Sequence, residues 1–252
     1  RDVSGLSDKE RARVRRELGG VRHKALVVAY GVHESGRREV IGIDVGEAET
    51  EAFWREFLRS LRARGLAGTQ LCVSDAHEGL KAAIAKVLGC PWQRCTVHFL
   101  RDMLGHCSKA QQPLVATAIR QVFAAESSGE ARERLAGVAE ALAQSAPKVA
   151  RLLAEAEDDL LAFMAFPPEH WCKLRSTNPL ERINREIGRR SDVVGIYPND
   201  AAVVRLAGSL LIEQNDEWLV GRRYLSIESL EAVLERTAGT ETVVEVNALP
   251  AA

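Results

Sequence analysis

Hydrophobic and polar positions divide the chain into two textures. As far as about residue 107, short runs of β-branched residues bounded by turn formers alternate with apolar positions at helical spacing. Lys24 to Val32 (K-A-L-V-V-A-Y-G-V) and Arg38 to Val45 (R-E-V-I-G-I-D-V) flank the turn signal H-E-S-G and read as a β-hairpin. Ala48 to Arg64 sets Phe53, Trp54, Phe57, Leu58 and Leu61 along one stripe, which predicts an amphipathic helix stopped by Gly65. A short strand, Gln70 to Ser74, runs into Asp75, and a helix over Glu78 to Leu88 ends at Gly89. Trp92 to His98 reads as one more strand, ahead of a helix from Phe99 to His106.

From Ser108 to Phe166 the strand signals vanish, and Ala, Leu, Glu, Arg and Gln recur at helical spacing with breaks near Ser127 to Gly129 and Ser145 to Pro147. Pro167 and Pro168 open a loop; helices are predicted over Pro179 to Arg190 and from Asp200 to about Gln214, and the last dozen residues read as frayed. The expected organisation is a first α/β part (1–107), an all-helical insertion (108–166), a second part carrying a glutamate-bearing helix (167–240) and a tail (241–252). The class is mixed α/β, and periodicity alone leaves several such folds open.

Composition sets bounds. With 252 residues, 46% apolar and 27% charged, the chain has the make-up of a soluble globular protein that buries a core without disulfides. No apolar run reaches the length of a membrane span, and the opening R-D-V-S-G-L-S-D-K-E-R lacks the apolar stretch of a secretory signal, so a cytosolic location is expected. Five irregularly spaced cysteines fit reduced thiols. A net charge of -1 argues against nucleic-acid binding from composition, yet basic residues gather at Arg11 to Lys24, Arg182 to Arg190 and at Arg222 and Arg223. Acidic ones concentrate at Glu47 to Glu56 and Glu155 to Asp159, and charge alone leaves solvated helix faces as an equal reading.

Two acids stand where chemistry is done. Asp75 closes L-C-V-S-D, at the carboxyl edge of a strand, where open α/β sheets bind ligands; a helix N-cap is the plain alternative. Glu181 follows Asn178, the expected cap, and Pro179, in the first helical turn, so it sits near a positive helix end. Arg182, Arg185, Arg189 and Arg190 follow on the same helix. A metal-holding carboxylate beside phosphate-holding arginines is what strand cleavage requires, whereas an ordinary first-turn glutamate is the plain alternative. Cys95 and His98 form C-x-x-H, half of a zinc spacing. Structural zinc needs four ligands, and His106, Cys107, His170 and Cys172 join only if the helical block folds back, so a packed, partly polar motif is expected instead. His77 reads as a loop residue within reach of a phosphate, and Lys81 as a further phosphate contact beside Arg182 and Arg185.

The stretches G-R-R-E-V-I-G-I-D-V-G, E-T-E-A-F-W-R-E-F-L-R-S-L, V-S-D-A-H-E-G-L-K-A-A-I, W-Q-R-C-T-V-H-F-L-R, F-P-P-E-H-W, S-T-N-P-L-E-R-I-N-R-E-I and P-N-D-A-A-V-V-R-L together resemble the bacterial Mutator-type insertion-sequence transposases. The resemblance runs from about Lys24 to Leu230. It implies a ribonuclease H-like core with an all-helical domain inserted between the second Asp and the Glu of an Asp, Asp, Glu triad. Asp75 then matches the second acid, Glu181 the third, and Cys95 and His98 the family's C-x-x-H. Two Mg²⁺ or Mn²⁺ ions are implied as cofactors. The first acid of the family lies in an apolar strand, in a D-A-x-Y setting. Counting back with R-V-R in register puts Asp8 there, but its setting, L-S-D-K-E-R-A-R-V-R, lacks the aromatic residue and most of the apolar strand, and an N-cap is its other reading.

The resemblance also implies cleavage of element ends and strand transfer into target DNA. Expected partners are terminal inverted repeats, target DNA and at least a second copy of the chain, in the cytoplasm at the nucleoid. The alternative is a catalytically impaired, truncated copy that only binds DNA or an intact transposase, its end-binding module missing. A junction resolvase and a helical scaffold with a zinc staple are two further readings.

Overall fold

The computed structural model describes residues 22–236 and 243–249. Strand β1 (Ala25–Val32) pairs antiparallel with β2 (Arg38–Gly46), with one register shift between Ala29 and Tyr30. The connecting turn needs glycine. Gly36 has φ +76, and a Cβ there would stand 2.0 Å from the carbonyl oxygen of Leu225, because the backbone N–H groups of Tyr224 and Leu225 donate to the Gly36 carbonyl at 2.7 and 3.1 Å.

Two short parallel strands follow, β3 (Cys72–Ser74) and β4 (Trp92–Arg94), and a fifth, β5 (Val243–Leu249), completes a sheet of order β2-β1-β5-β3-β4. Strand β5 runs antiparallel to β1 and parallel to β3. The expectation of a frayed end is therefore corrected: the valine-rich V-V-E-V-N-A-L is the middle strand of the sheet.

The helices in chain order are α1 (Glu51–Ala63), α2 (Glu78–Val87), α3 (Thr96–Gly105), α4 (Gln112–Val122), α5 (Ser128–Leu142), α6 (Pro147–Glu155) and α7 (Glu157–Leu161), which passes into a 3₁₀ turn at Ala162–Ala165. Then come α8 (Pro168–Leu174), α9 (Asn178–Val194), α10 (Asp200–Val220) and α11 (Ile227–Arg236). The fold is mixed α/β and mostly helical. No helix among the described residues is long and apolar enough to cross a membrane.

Three boundaries differ from the periodic reading. The strand at Trp92 stops at Arg94 and α3 starts at Thr96, which moves His98 from a strand end into the first turn of a helix. The double proline opens α8 instead of a loop, since Pro168 fits the first helical position, where no intrahelical N–H is needed. The cap of α9 is Thr177, which leaves Asn178 and Pro179 inside the first turn.

Helices cover the sheet on both faces, which explains why every residue of β1 is buried and why the strand reads as a continuous apolar run. On one face Val27, Ala29 and Cys72 pack against Trp54, Phe57, Leu58 and Leu61 of α1 and Leu80 and Ile84 of α2. On the other, Leu26, Val28, Tyr30 and Val32 meet Leu180, Ile183 and Ile187 of α9 and Ala207 and Leu211 of α10. The third cluster joins Val73 of the sheet and Phe99 and Met103 of α3 to the interior of the helical block from α4 to α7. Gln93, fully buried in β4, latches that block to the sheet: its Nε2 donates to the Leu160 carbonyl at 3.0 Å and its Oε1 accepts from the Phe163 N–H at 2.8 Å.

Candidate active site

The residues around Asp75 are held by its neighbour. Ser74 is buried; its Oγ donates to the Asp75 carbonyl at 2.9 Å and accepts from the Trp92 indole N–H at 2.8 Å, while its own carbonyl accepts from the Cys95 N–H at 2.8 Å. The end of β3 and the start of α3 are thereby fixed side by side. The segment before α9 clamps onto the same point. Both the N–H and the hydroxyl of Thr96 donate to the Arg175 carbonyl at 2.9 Å, and buried Thr177 donates its N–H to Cys95 Sγ at 3.4 Å and places Oγ1 3.5 Å from His98 Nδ1.

This clamp delivers Glu181, in the first turn of α9, to one side of the His98 ring, with its Oε1 2.9 Å from Nε2. Asp75 Oδ1 lies against Nδ1 on the other side. Two acids distant in sequence thus meet on one imidazole. The arrangement favours a protonated ring: hydrogen bonding to Asp75, then to Cys95, lifts His98 to about 10 in spite of its burial. Burial pushes the Cys95 thiol up, but hydrogen bonds with His98 and Thr177 outweigh it and leave that thiol lower than usual. A positive charge held between two carboxylates marks a place suited to a cation.

Other expected contacts are distributed differently. Asp75 is not the cap of α2; that role belongs to His77, the loop residue just ahead of the helix, whose Nδ1 accepts from the Leu80 N–H at 3.1 Å. Lys81 pairs with Asp159 at 2.5 Å and lies over the Trp92 ring at 4.9 Å, so its charge already bridges α2 to the helical block. Arg182 and Arg185 do come together. They line a groove of about 620 Å³ between α9 and α10 with Arg189, Arg190, Glu213 and Glu217. Within it, hydrogen bonds from Arg189 and then Arg190 hold the Glu186 carboxyl down at about 2. Asp8 lies outside the described residues.

Sequence reasoning passed over three residues here. Arg101 sits one turn beyond His98 with Nη2 3.6 Å from Glu181 Oε1, a neighbour that helical spacing reveals once α3 is known to begin at Thr96. Thr177 was hidden in an apparent loop. Glu49, just ahead of α1, has its carboxyl raised by burial, opposed by the His77 charge and helped by that of Asp75, a proximity with no signal along the chain.

Comparison with known proteins gives several named relatives. The sequence profile described as "Transposase, Mutator family" matches residues 6–221. The chain is 43% identical over 227 residues to the transposase for insertion sequence element IS1081 of Mycobacterium tuberculosis, covering 90% of this chain and 55% of the relative. It is 42% identical over 205 residues to the transposase for IS406 of Burkholderia multivorans, covering 80% and 53%. It is 34% identical over 218 residues to that for IS256 in transposon Tn4001 of Staphylococcus aureus, covering 84% and 55%. The chain spans about half the length of these curated relatives.

Proposed function

The chain belongs to the Mutator family of transposases, and on that premise we propose that it is the catalytic part of an insertion-sequence transposase that cuts element ends and joins them to target DNA. Asp75 and Glu181 are, in this reading, two of three carboxylates that hold divalent cations, with Asp8 the third by resemblance. The observation that carries it is their convergence on the two nitrogens of His98. Both are hard oxygen donors only partly screened from solvent, with 34% and 28% of their side chains exposed, and so fit a hard cation that arrives from water. When bound, two Mg²⁺ or Mn²⁺ ions supply positive charge at the attacking and departing oxygens of a phosphodiester.

The chain's own groups do the positioning. His98, protonated, keeps the two acids together in the absence of a cation, and Arg101 holds Glu181 from the solvent side. Arg182 and Arg185, exposed on α9 beside Glu181, suit the phosphates on either side of the cut. The hairpin next to parallel strands, with Asp75 at the carboxyl end of β3, supports reading the sheet as a ribonuclease H-like core. Residues 22–107, 167–236 and 243–249 would then form that core, and 108–166 an inserted helical domain. DNA and a second copy of the chain are the partners of this reading, in the cytoplasm.

Asp75→Asn and Glu181→Gln are each expected to lower Mg²⁺-dependent cleavage of DNA carrying the element ends by at least about a hundredfold, with the melting temperature little changed. Cleavage at the parental rate in either variant refutes the assignment. An unaltered chain that binds DNA and does not cut it in Mg²⁺ or Mn²⁺ points to the impaired copy instead.

A further inference from the structure

The site described above contains a donor that hard-cation chemistry does not use. Cys95 Sγ, a ring nitrogen of His98 and a carboxylate oxygen of Asp75 all lie within 4.8 Å of one another, and Cys95 is fully buried. We propose that Asp75, Cys95 and His98 form a binding site for one Zn²⁺ ion, with three protein ligands and an open fourth position. The inference goes beyond the transposase reading, although Asp75, His98 and Glu181 take part in both.

The donor chemistry selects the ion. A thiolate, an imidazole and a carboxylate are the ligand types of tetrahedral zinc, whereas magnesium and calcium take oxygen. With metal–sulfur and metal–nitrogen bonds of about 2.3 and 2.0 Å, neighbouring ligands of a tetrahedral site stand roughly 3.5 Å apart. Asp75 Oδ1 lies closer than that to His98 Nδ1 and has to open, whereas no other pair has to close by more than about 1.3 Å, and small side-chain rotations supply both. Thiolate is favoured at this place because Cys95 is the cap residue of α3, at the positive end of a ten-residue helix, and its sulfur accepts the Thr177 N–H at 3.4 Å.

The hydrogen-bond partner that such a ligand needs is already in place. A zinc-bound histidine normally donates its other ring N–H to a carboxylate, which fixes the tautomer and aims the ligand. With Nδ1 turned to Asp75, the Nε2 of His98 meets Glu181 at 2.9 Å. The C-x-x-H spacing looked like half of a site because its third ligand comes from another strand. Asp75 is brought there by the hydrogen bond between the Cys95 N–H and the Ser74 carbonyl.

The test uses the full chain, stripped of metal with a chelator and titrated with Co²⁺ as a spectroscopic substitute for zinc. One equivalent is expected to give a near-ultraviolet thiolate-to-cobalt band that Zn²⁺ abolishes. Cys95→Ser should lose the band, His98→Gln and Asp75→Asn should each weaken Co²⁺ binding at least about tenfold, and Glu181→Gln, acting through His98, about tenfold. Cys172→Ser, an exposed thiol on α8, should leave the titration unchanged. Circular dichroism of each metal-free variant establishes that it is folded before it is scored, and the two variants that keep the thiol serve if Cys95→Ser does not fold. No band in the unaltered chain, or a band that persists in folded Cys95→Ser or is untouched by both His98→Gln and Asp75→Asn, overturns the proposal. DNA cleavage is assayed separately with Mg²⁺. A chain that binds Co²⁺ through Cys95 without cutting DNA keeps the zinc site and removes the catalytic reading, and the converse result separates them the other way.

Discussion

Replacing Gln93 by leucine isolates the latch between the sheet and the helical block. Leucine fills nearly the same volume but offers no polar atom, so the Leu160 carbonyl and the Phe163 N–H, bonded at 3.0 and 2.8 Å in a buried setting, lose their partners together. An abandoned buried donor or acceptor costs about 1–3 kcal/mol, and the added apolar surface returns about 1 kcal/mol, so the net loss is about 3 kcal/mol. For a chain of this size that is a fall in melting temperature of roughly 6–12 °C. Calorimetry measures the fall, and hydrogen exchange should show the Phe163 amide opening while amides of β1 stay protected. Gln93→Glu refines the test, because a carboxylate still accepts from Phe163 but cannot donate to Leu160 until acid protonates it; its deficit should shrink as pH falls. A Gln93→Leu protein that melts within about 1 °C of the parent would show that the latch carries no net stability, and the reasoning about these two bonds would be wrong.

Gly36→Ala forces a positive φ on an L-residue and drives its Cβ into the Leu225 carbonyl, so a loss of more than about 3 kcal/mol is expected in urea titration. Burial pushes the Cys90 thiol up to about 11. At pH 8 its thiolate fraction is then roughly a hundredfold below that of an ordinary thiol, and iodoacetamide followed by mass spectrometry should label exposed Cys172 long before Cys90. The sign for stability follows: a folded value above the unfolded one makes a contribution that is complete below about pH 8.5 and lost as pH rises toward 11. Neutralising Arg182 and Arg185 together to glutamine should flatten the slope of log K against log salt for DNA binding by up to about 1.8. An unchanged slope would place the phosphates elsewhere.

Much of this architecture could be read from residue pattern because it rests on local rules. The hairpin, the α1 stripe from Phe53 to Leu61 and the glycine stops at Gly65 and Gly89 are settled within a few residues of themselves. What escaped was decided at a distance. His98 reads as strand until the bonds from Thr96 to Arg175 are known to start a helix there. The approach to one acid looked unstructured because the Thr177 N–H is bound by Cys95 and the Arg175 carbonyl by Thr96, contacts made across the fold. The two acids themselves were identified by motif, but that a single imidazole stands between them has no counterpart in spacing. Lys81 likewise has a partner that spacing does not reveal, since Asp159 is brought to it across the fold.

The placement of β5 bears on how the molecule assembles. Its pairings with β1 and β3 are what join the hairpin to the parallel pair, and Leu26 meets Leu249 across almost the whole length of the chain. During synthesis, β1 and β3 must wait with open rows of N–H and C=O groups until residues 243–249 leave the ribosome. Such a late, non-local closure predicts slow refolding. It also leaves an interval in which an extended segment from a neighbouring nascent chain can take the vacant lane and seed aggregation.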